Sequence, residues 1–137
     1  MLEFENTLPS IEEYCELREV CGLSEKTEHA AELGLPNSLF ATIIRNHGEL
    51  IAMGRVVGDS GCNYEIVDVA VHPRFQQRGF GYKIMQAIME FIAENAPPSA
   101  YVSLIADNYS PKLYSKFGFK PTAPVSIGMA FKVEKKK

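Results

Sequence analysis

Six residues in a row, Gln76-Gln77-Arg78-Gly79-Phe80-Gly81, carry the clearest chemistry in this sequence. They follow the strand-like run Glu65 to Val71 and lead into a segment where Ile84, Met85, Ile88, Met89, Phe91 and Ile92 repeat at helical spacing. A strand that enters a helix through glycines builds an anion site. The first amides of a helix lack an internal partner and point outward, and the helix dipole favours negative charge there. Glycine at 79 and 81 removes the Cβ atoms that would hold a phosphate away. The charge pattern agrees: no acid lies between Asp68 and Glu90, while Arg74, Arg78 and Lys83 are all positive. A small anionic ligand held at one place is expected; the plainer alternative is a chance cluster of charge in a basic turn. Two other phosphate loops are excluded. A Walker loop needs G-x-x-x-x-G-K-[ST], which is absent. A dinucleotide fingerprint needs a small residue where Ile84 stands, and no early strand-helix-strand unit precedes the turn.

The elements that must position this turn are readable on either side of it. Ser10-Ile11-Glu12-Glu13 has the form of a capping box and predicts a helix over 11–21, stopped by Gly22. Ser24 is a candidate cap for a second short helix through Leu33, closed by Gly34 and Pro36. Leu39 to Ile44 and Leu50 to Val57 read as antiparallel strands turned by Asn46-His47-Gly48. Gly58 to Gly61 turns the chain into a third strand, Tyr64 to Val71, which His72-Pro73 ends. The helix from Gly79 to Asn95 is stopped by Ala96-Pro97-Pro98. Tyr101 to Ala106 reads as a short buried strand, and Ser110-Pro111 as the start of a brief helix ended by Gly118. Val125 to Val133 alternates loosely and is expected to be a final strand. This order predicts a mixed α/β sheet rather than a doubly wound one.

Composition narrows the function classes. A chain of 137 residues with 46% hydrophobic and 23% charged residues is expected to form a single domain over 1–137 with a core of its own. Net charge is −3, yet the tail 132–137 holds four lysines against Glu134 and is expected to fray. The body before it is therefore more acidic, which is a poor match for nucleic acid. Cys15, Cys21 and Cys62 are odd in number and show no C-x-x-C spacing, and His29, His47 and His72 are scattered. That argues for a reducing compartment and against a metal site. No apolar run approaches the ~18 residues of a membrane span, and the start Met1-Leu2-Glu3-Phe4-Glu5 is acidic where a signal peptide is basic. The expectation is a cytoplasmic protein with neither nucleic acid nor membrane as partner.

Val69-Ala70-Val71-His72-Pro73-Arg74-Phe75-Gln76-Gln77-Arg78-Gly79-Phe80-Gly81 closely resembles the acyl-CoA motif of the GNAT N-acetyltransferase superfamily, whose core is [Q/R]-x-x-G-x-[G/A]. Gln76, Gly79 and Gly81 fill its positions. Further along, Asn108 and then Leu113-Tyr114-Ser115-Lys116-Phe117-Gly118-Phe119 resemble the family's N…LY-x-x-x-GF element. The order of elements agrees too, so the resemblance covers nearly the whole chain. It implies a GNAT-like fold: a central, mostly antiparallel sheet, splayed between its fourth and fifth strands, with flanking helices.

The same resemblance implies roles. Acetyl-CoA, the co-substrate, would lie in the splay with its pantetheine arm paired to the main chain of Val69 and Val71, as an added strand would be. One amide near Val71 would polarise the acetyl carbonyl. The amides of Gln77, Arg78, Gly79, Phe80, Gly81 and Tyr82 would hold the pyrophosphate, with Arg78 and Lys83 adding charge and Asn108 anchoring the cofactor from the far side. Tyr114 would be the acid, since a phenol near pKa ~10 is protonated where a thiol of about 8.5 must leave. Read as structure only, it is a helix tyrosine packed beside Leu113 and Phe117. For the base, Glu65 aligns without gaps, back from Gly79, with the family's catalytic glutamate. Asp68 is nearer the thioester in sequence, but a regular strand would put it on the opposite face from Glu65, unless a bulge intervenes. A water chain could replace both. The implied activity is direct acetyl transfer to a primary amine of a small molecule or peptide in a ternary complex. The alternative is a non-catalytic acyl-CoA sensor or regulatory module on the same fold. Residues 22–38 would wall the acceptor pocket, where Glu25, Glu28 and Glu32 either favour a cationic amine or form a solvated face. Homodimers are common in the family, so the resemblance allows a homodimer.

Overall fold

Ser10 caps the first helix as its spacing requires. Its hydroxyl accepts the Glu13 amide at 3.2 Å while the Glu13 carboxylate accepts the Ser10 amide at 2.8 Å, satisfying two end groups at once. Helix α1, Ile11–Val20, follows. The structure is a computed structural model describing residues 1–107 and 111–134. It divides into two compact units, Met1–Leu104 and Ile105–Lys137.

The first unit holds five strands, β1 (Leu2–Glu5), β2 (Phe40–Asn46), β3 (Glu49–Gly58), β4 (Asn63–Val71) and β5 (Tyr101–Leu104), in the sheet order β1-β2-β3-β4-β5. The first four pair antiparallel and β4 pairs parallel with β5. Helix α2 is Glu28–Gly34, and α3, Phe80–Asn95, is the crossover between the parallel pair. On one face of the sheet Tyr14, Leu17, Ala31 and Leu35 pack with Ile43, Leu50, Met53 and Ala70. On the other face α3 buries Ile84, Met85, Ile88 and Ile92, and its Phe91 ring stacks on Phe40 at 4.8 Å. Gly54 marks the closest approach there: a Cβ at this position would meet Ile84 Cγ2 at 2.6 Å. Among the described residues no helix is long and apolar enough to cross a membrane.

In the second unit, α4 (Pro111–Ser115) runs into a turn at Gly118, φ 91°. The Tyr114 ring meets Phe119 edge-on at 6.4 Å, and the Phe119 amide donates to the Tyr114 carbonyl at 3.3 Å.

Three expectations are corrected. The second helix is capped by Thr27, whose hydroxyl accepts the Ala30 amide at 3.0 Å; Ser24 instead accepts Arg18 through its carbonyl and its hydroxyl. Val125 to Val133 forms no strand, because alternation supplies a face but no hydrogen-bonded neighbour. The N-terminal segment, read only as acidic, is strand β1, too short for its alternation to register against background.

Candidate functional site

The site begins with a defect in β4. Met53 lies opposite Ala70 and Arg55 opposite Val67, so Gly54 alone faces both Asp68 and Val69. This is a bulge, and Asp68 carries it in a left-handed conformation, φ 59°, which costs a non-glycine residue roughly 1–2 kcal/mol. One inserted residue reverses the alternation. The register places Glu65 opposite Val57 and Val67 opposite Arg55, hence on the face of Arg55; beyond the bulge Ala70 is on that face as well, packed with Tyr14 and Leu17. Asp68 joins them, since Arg55 Nε donates to its carboxylate at 2.6 Å. Glu65 and Asp68 therefore share a face, where a regular strand would have separated them.

The pairing with β5 stops just before the bulge. The parallel register runs from Asn63↔Tyr101 to Ile66↔Leu104 and stops, so among the described residues β4 has no strand on that side from Val67 onward. The His72 amide donates to the Ile51 carbonyl at 2.7 Å. By antiparallel alternation the Ala70 backbone also faces β3. Trans peptides oppose their N–H and C=O groups, which turns the Val69 carbonyl and the Val71 amide to the open edge. The Val71 carbonyl points the same way and is occupied, accepting Gln76 Nε2 at 3.0 Å and Cys21 Sγ at 3.4 Å. Burial pushes that Cys21 thiol pKa up, so it stays a donor.

Gln76 thus ties the glycine turn to the end of β4. His72 shapes the same turn: its Nδ1 accepts the Arg74 amide at 3.1 Å, capping the 3-10 turn Pro73–Phe75. Gln77 and Gly79 both adopt left-handed conformations, φ 63° and 85°. Gly79 precedes α3 with no side-chain cap, and the first intrahelical bond runs from the Lys83 amide to the Gly79 carbonyl at 3.1 Å. The amides of Phe80 and Gly81 therefore have no acceptor within the helix. A Cβ on Gly79 would meet nothing within 4 Å, so the turn is uncrowded at that position. Arg78 lies over the Phe75 ring at 5.4 Å and is exposed, as is Lys83. Arg74 turns to Glu49 at 3.7 Å. Such a helix start, uncapped by any side chain and with cations beside it, suits a phosphate. The residues present fit a cofactor with an extended amide arm ending in a pyrophosphate.

The structure thus brings Val69, Val71 and residues 76–83 into one continuous run, with Glu65 and Asp68 on one face of the strand before it. Tyr114 belongs to the second unit, and Asn108 lies outside the described residues. Sequence reasoning missed Tyr14, Arg18 and Arg55, which surround Asp68. The Tyr14 hydroxyl donates to Asp68 at 2.8 Å and Arg18 Nη1 at 2.5 Å. Burial first, then the Asp68 charge, pushes the Tyr14 pKa up to about 12. The only local signal was the i, i+4 spacing of Tyr14 and Arg18, which sets both on one helix face.

Comparison with known proteins shows the family and the fold. The acetyltransferase (GNAT) domain family matches residues 36–121. Among solved structures, a protein of unknown function from meticillin-resistant Staphylococcus aureus, described as a probable acetyltransferase, is 47% identical, with a TM-score of 0.94 over 97% of this chain and 100% of that one. Glucosamine-6-phosphate N-acetyltransferase from Arabidopsis thaliana is 18% identical, TM-score 0.69, over 98% and 99%. The ribosomal-protein-S18-alanine N-acetyltransferase from Escherichia coli is 17% identical, TM-score 0.70, over 88% and 78%. These last two show the fold alone. No curated protein matches the chain. With the motif, the bulged strand and the uncapped helix start in agreement, the chain belongs to the GNAT acetyltransferase family and is an N-acetyltransferase.

Proposed function

We propose that the protein moves an acetyl group from acetyl-CoA to a primary amine by direct attack in a ternary complex, residues 1–137 acting as one catalytic domain. The observation that carries this reading is the open β4 edge running directly into an uncapped helix start. It offers an acceptor and a donor in strand geometry, then outward amides, in the order that a pantetheine arm and a pyrophosphate require. When bound, acetyl-CoA supplies a thioester, an acyl group already activated toward nitrogen.

The chain's own residues bind, orient and move protons. The Val69 carbonyl and Val71 amide line the arm, and Gln76 holds the turn in place. The amides of Gln77 to Tyr82 face the pyrophosphate, Arg78 and Lys83 add positive charge, and the motif assigns Asn108 to anchor the far side. Tyr114 holds the acidic proton at its phenolic oxygen. Glu65 is the base: it is half-buried on the last part of β4 still paired to β5, close to the open edge. Asp68 is read as structural, because its carboxylate already accepts from two guanidiniums and a phenol.

The acceptor is a primary amine on a small molecule or peptide. Two neighbours of the same fold act, by name, on glucosamine-6-phosphate and on an alanine of ribosomal protein S18, so the choice falls to the helix-loop wall of residues 22–38. Cytoplasmic residence belongs to the same proposal and rests on the three free cysteines. The test is incubation of the purified protein with acetyl-CoA and pooled amines, read by product mass and thiol release. One amine is expected to gain an acetyl group with matching thiol. Acetyl-CoA binding without turnover on any amine, peptide or lysine would favour the sensor, and absence of binding would end both readings.

A further inference from the structure

Asp68 is held more tightly than acetyl transfer requires of it. Its side chain is 7% exposed and is gripped by α1 through Arg18 and Tyr14 and by β3 through Arg55. The outer groups are anchored in turn. Arg18 Nε and Nη2 bond the Ser24 carbonyl at 3.1 and 2.8 Å, and Arg55 Nη1 bonds the Ser38 hydroxyl at 2.9 Å. Among the described residues no buried side-chain nitrogen or oxygen lacks a hydrogen-bond partner. Two cations and one anion, taken largely out of water, are an expensive way to fasten a strand. A left-handed non-glycine residue in mid-strand persists only where its surroundings over-determine it.

We infer that the Tyr14–Arg18–Arg55–Asp68 cluster is a positioning device that holds the β4 bulge open, so that the strand leaves β5 after Ile66 and presents the Val69 carbonyl and Val71 amide to the cofactor arm. The face reversal supports this. Val67 and Ala70 share the α1 face only because one residue is inserted between the two halves of the strand. Healing the bulge would turn every later side chain to the other face, taking Val69 away from Gly54 and undoing the orientation of the edge. Nothing in the local sequence Val67-Asp68-Val69 favours a left-handed residue except the tolerance of aspartate for it. The charges must therefore keep it there. The consequence for the cofactor rests on the acetyl-CoA reading; the geometry does not.

The test uses Asp68→Asn, which keeps shape and left-handed tolerance but removes the charge, and Tyr14→Phe, which removes one hydroxyl. Should the first fail to fold, the second gives the same readout. Both are compared with wild type by amide hydrogen exchange without ligand and by steady-state kinetics. Exchange is expected to quicken at residues 67–72 alone. KM for acetyl-CoA is expected to rise about tenfold in Asp68→Asn and less in Tyr14→Phe, within the up to ~10²-fold cost of a misplaced group. Unchanged exchange at 67–72, exchange raised evenly across α3 and β2, or local exchange with an unchanged KM each overturns the inference. If the wild type binds no acetyl-CoA, the functional reading fails, while exchange still decides whether the cluster holds the bulge.

Discussion

At Tyr114 the proposed chemistry depends on one hydroxyl. Replacing it with phenylalanine is expected to lower kcat ~10²-fold, the scale of a lost general acid, with little change in CoA affinity; kinetics paired with calorimetry check it, and an unaltered kcat removes Tyr114 from the mechanism. Gly81→Glu places a side chain and a negative charge before the helix amides, so CoA binding is expected to collapse; retained affinity would put the cradle elsewhere. Tyr14 has a different signature. Its pKa is raised from the ordinary 10 to about 12, so the folded state favours the protonated phenol. The stability this contributes is full below about pH 10 and is lost as pH rises from there through 12. Urea unfolding between pH 9 and 11.5 should show a steeper alkaline loss in wild type than in Tyr14→Phe.

At the scale of elements, α1 is fastened to the sheet at both ends. Beside the buried cluster, Arg45 on β2 clasps Glu13 with two bonds of 2.8 and 2.7 Å. Those bonds, ahead of the capping box, hold the Glu13 pKa below the usual carboxylate value. A depressed carboxylate stabilises the fold above its unfolded pKa and ceases to do so as pH falls through the folded value. Glu13→Gln should therefore flatten the loss of stability of the wild type below about pH 4.5, as thermal unfolding across pH 3 to 6 would show. The opposite face has no room to spare. Gly54→Ala drives a methyl into Ile84 and is expected to destabilise by about 1–3 kcal/mol, the cost of overpacking, which denaturant unfolding measures.

Across the whole molecule, ligand linkage provides the broadest check. Acetyl-CoA at a hundred times its Kd should add about 2.7 kcal/mol to the stability of the native state, raising Tm by several degrees, while a nicotinamide dinucleotide should not. The glycine turn was legible in the sequence because all its parts are local: the residues of the proposed anion cradle adjoin one another, and a strand and a helix on either side announce themselves by their periods. The strand boundaries at β2, β3 and β4 and the ends of α1 and α3 were legible for the same reason. What surrounds Asp68 was not, since Tyr14, Arg18, Arg55 and Asp68 belong to three separate elements.

The sequence by itself determined the family and the order of elements from α1 to α4, because caps, periods and a glycine spacing act over a few residues; it missed β1 and supplied a final strand that does not form. Tertiary structure decided which way β4 faces on either side of residue 68, that Glu65 and Asp68 lie on one face, and that Asp68 is already committed to two arginines. A bulge is the reason. One residue inserted opposite Gly54 leaves no mark on composition or periodicity, yet it reverses every side chain beyond it, and only contacts made across the fold can hold it in place.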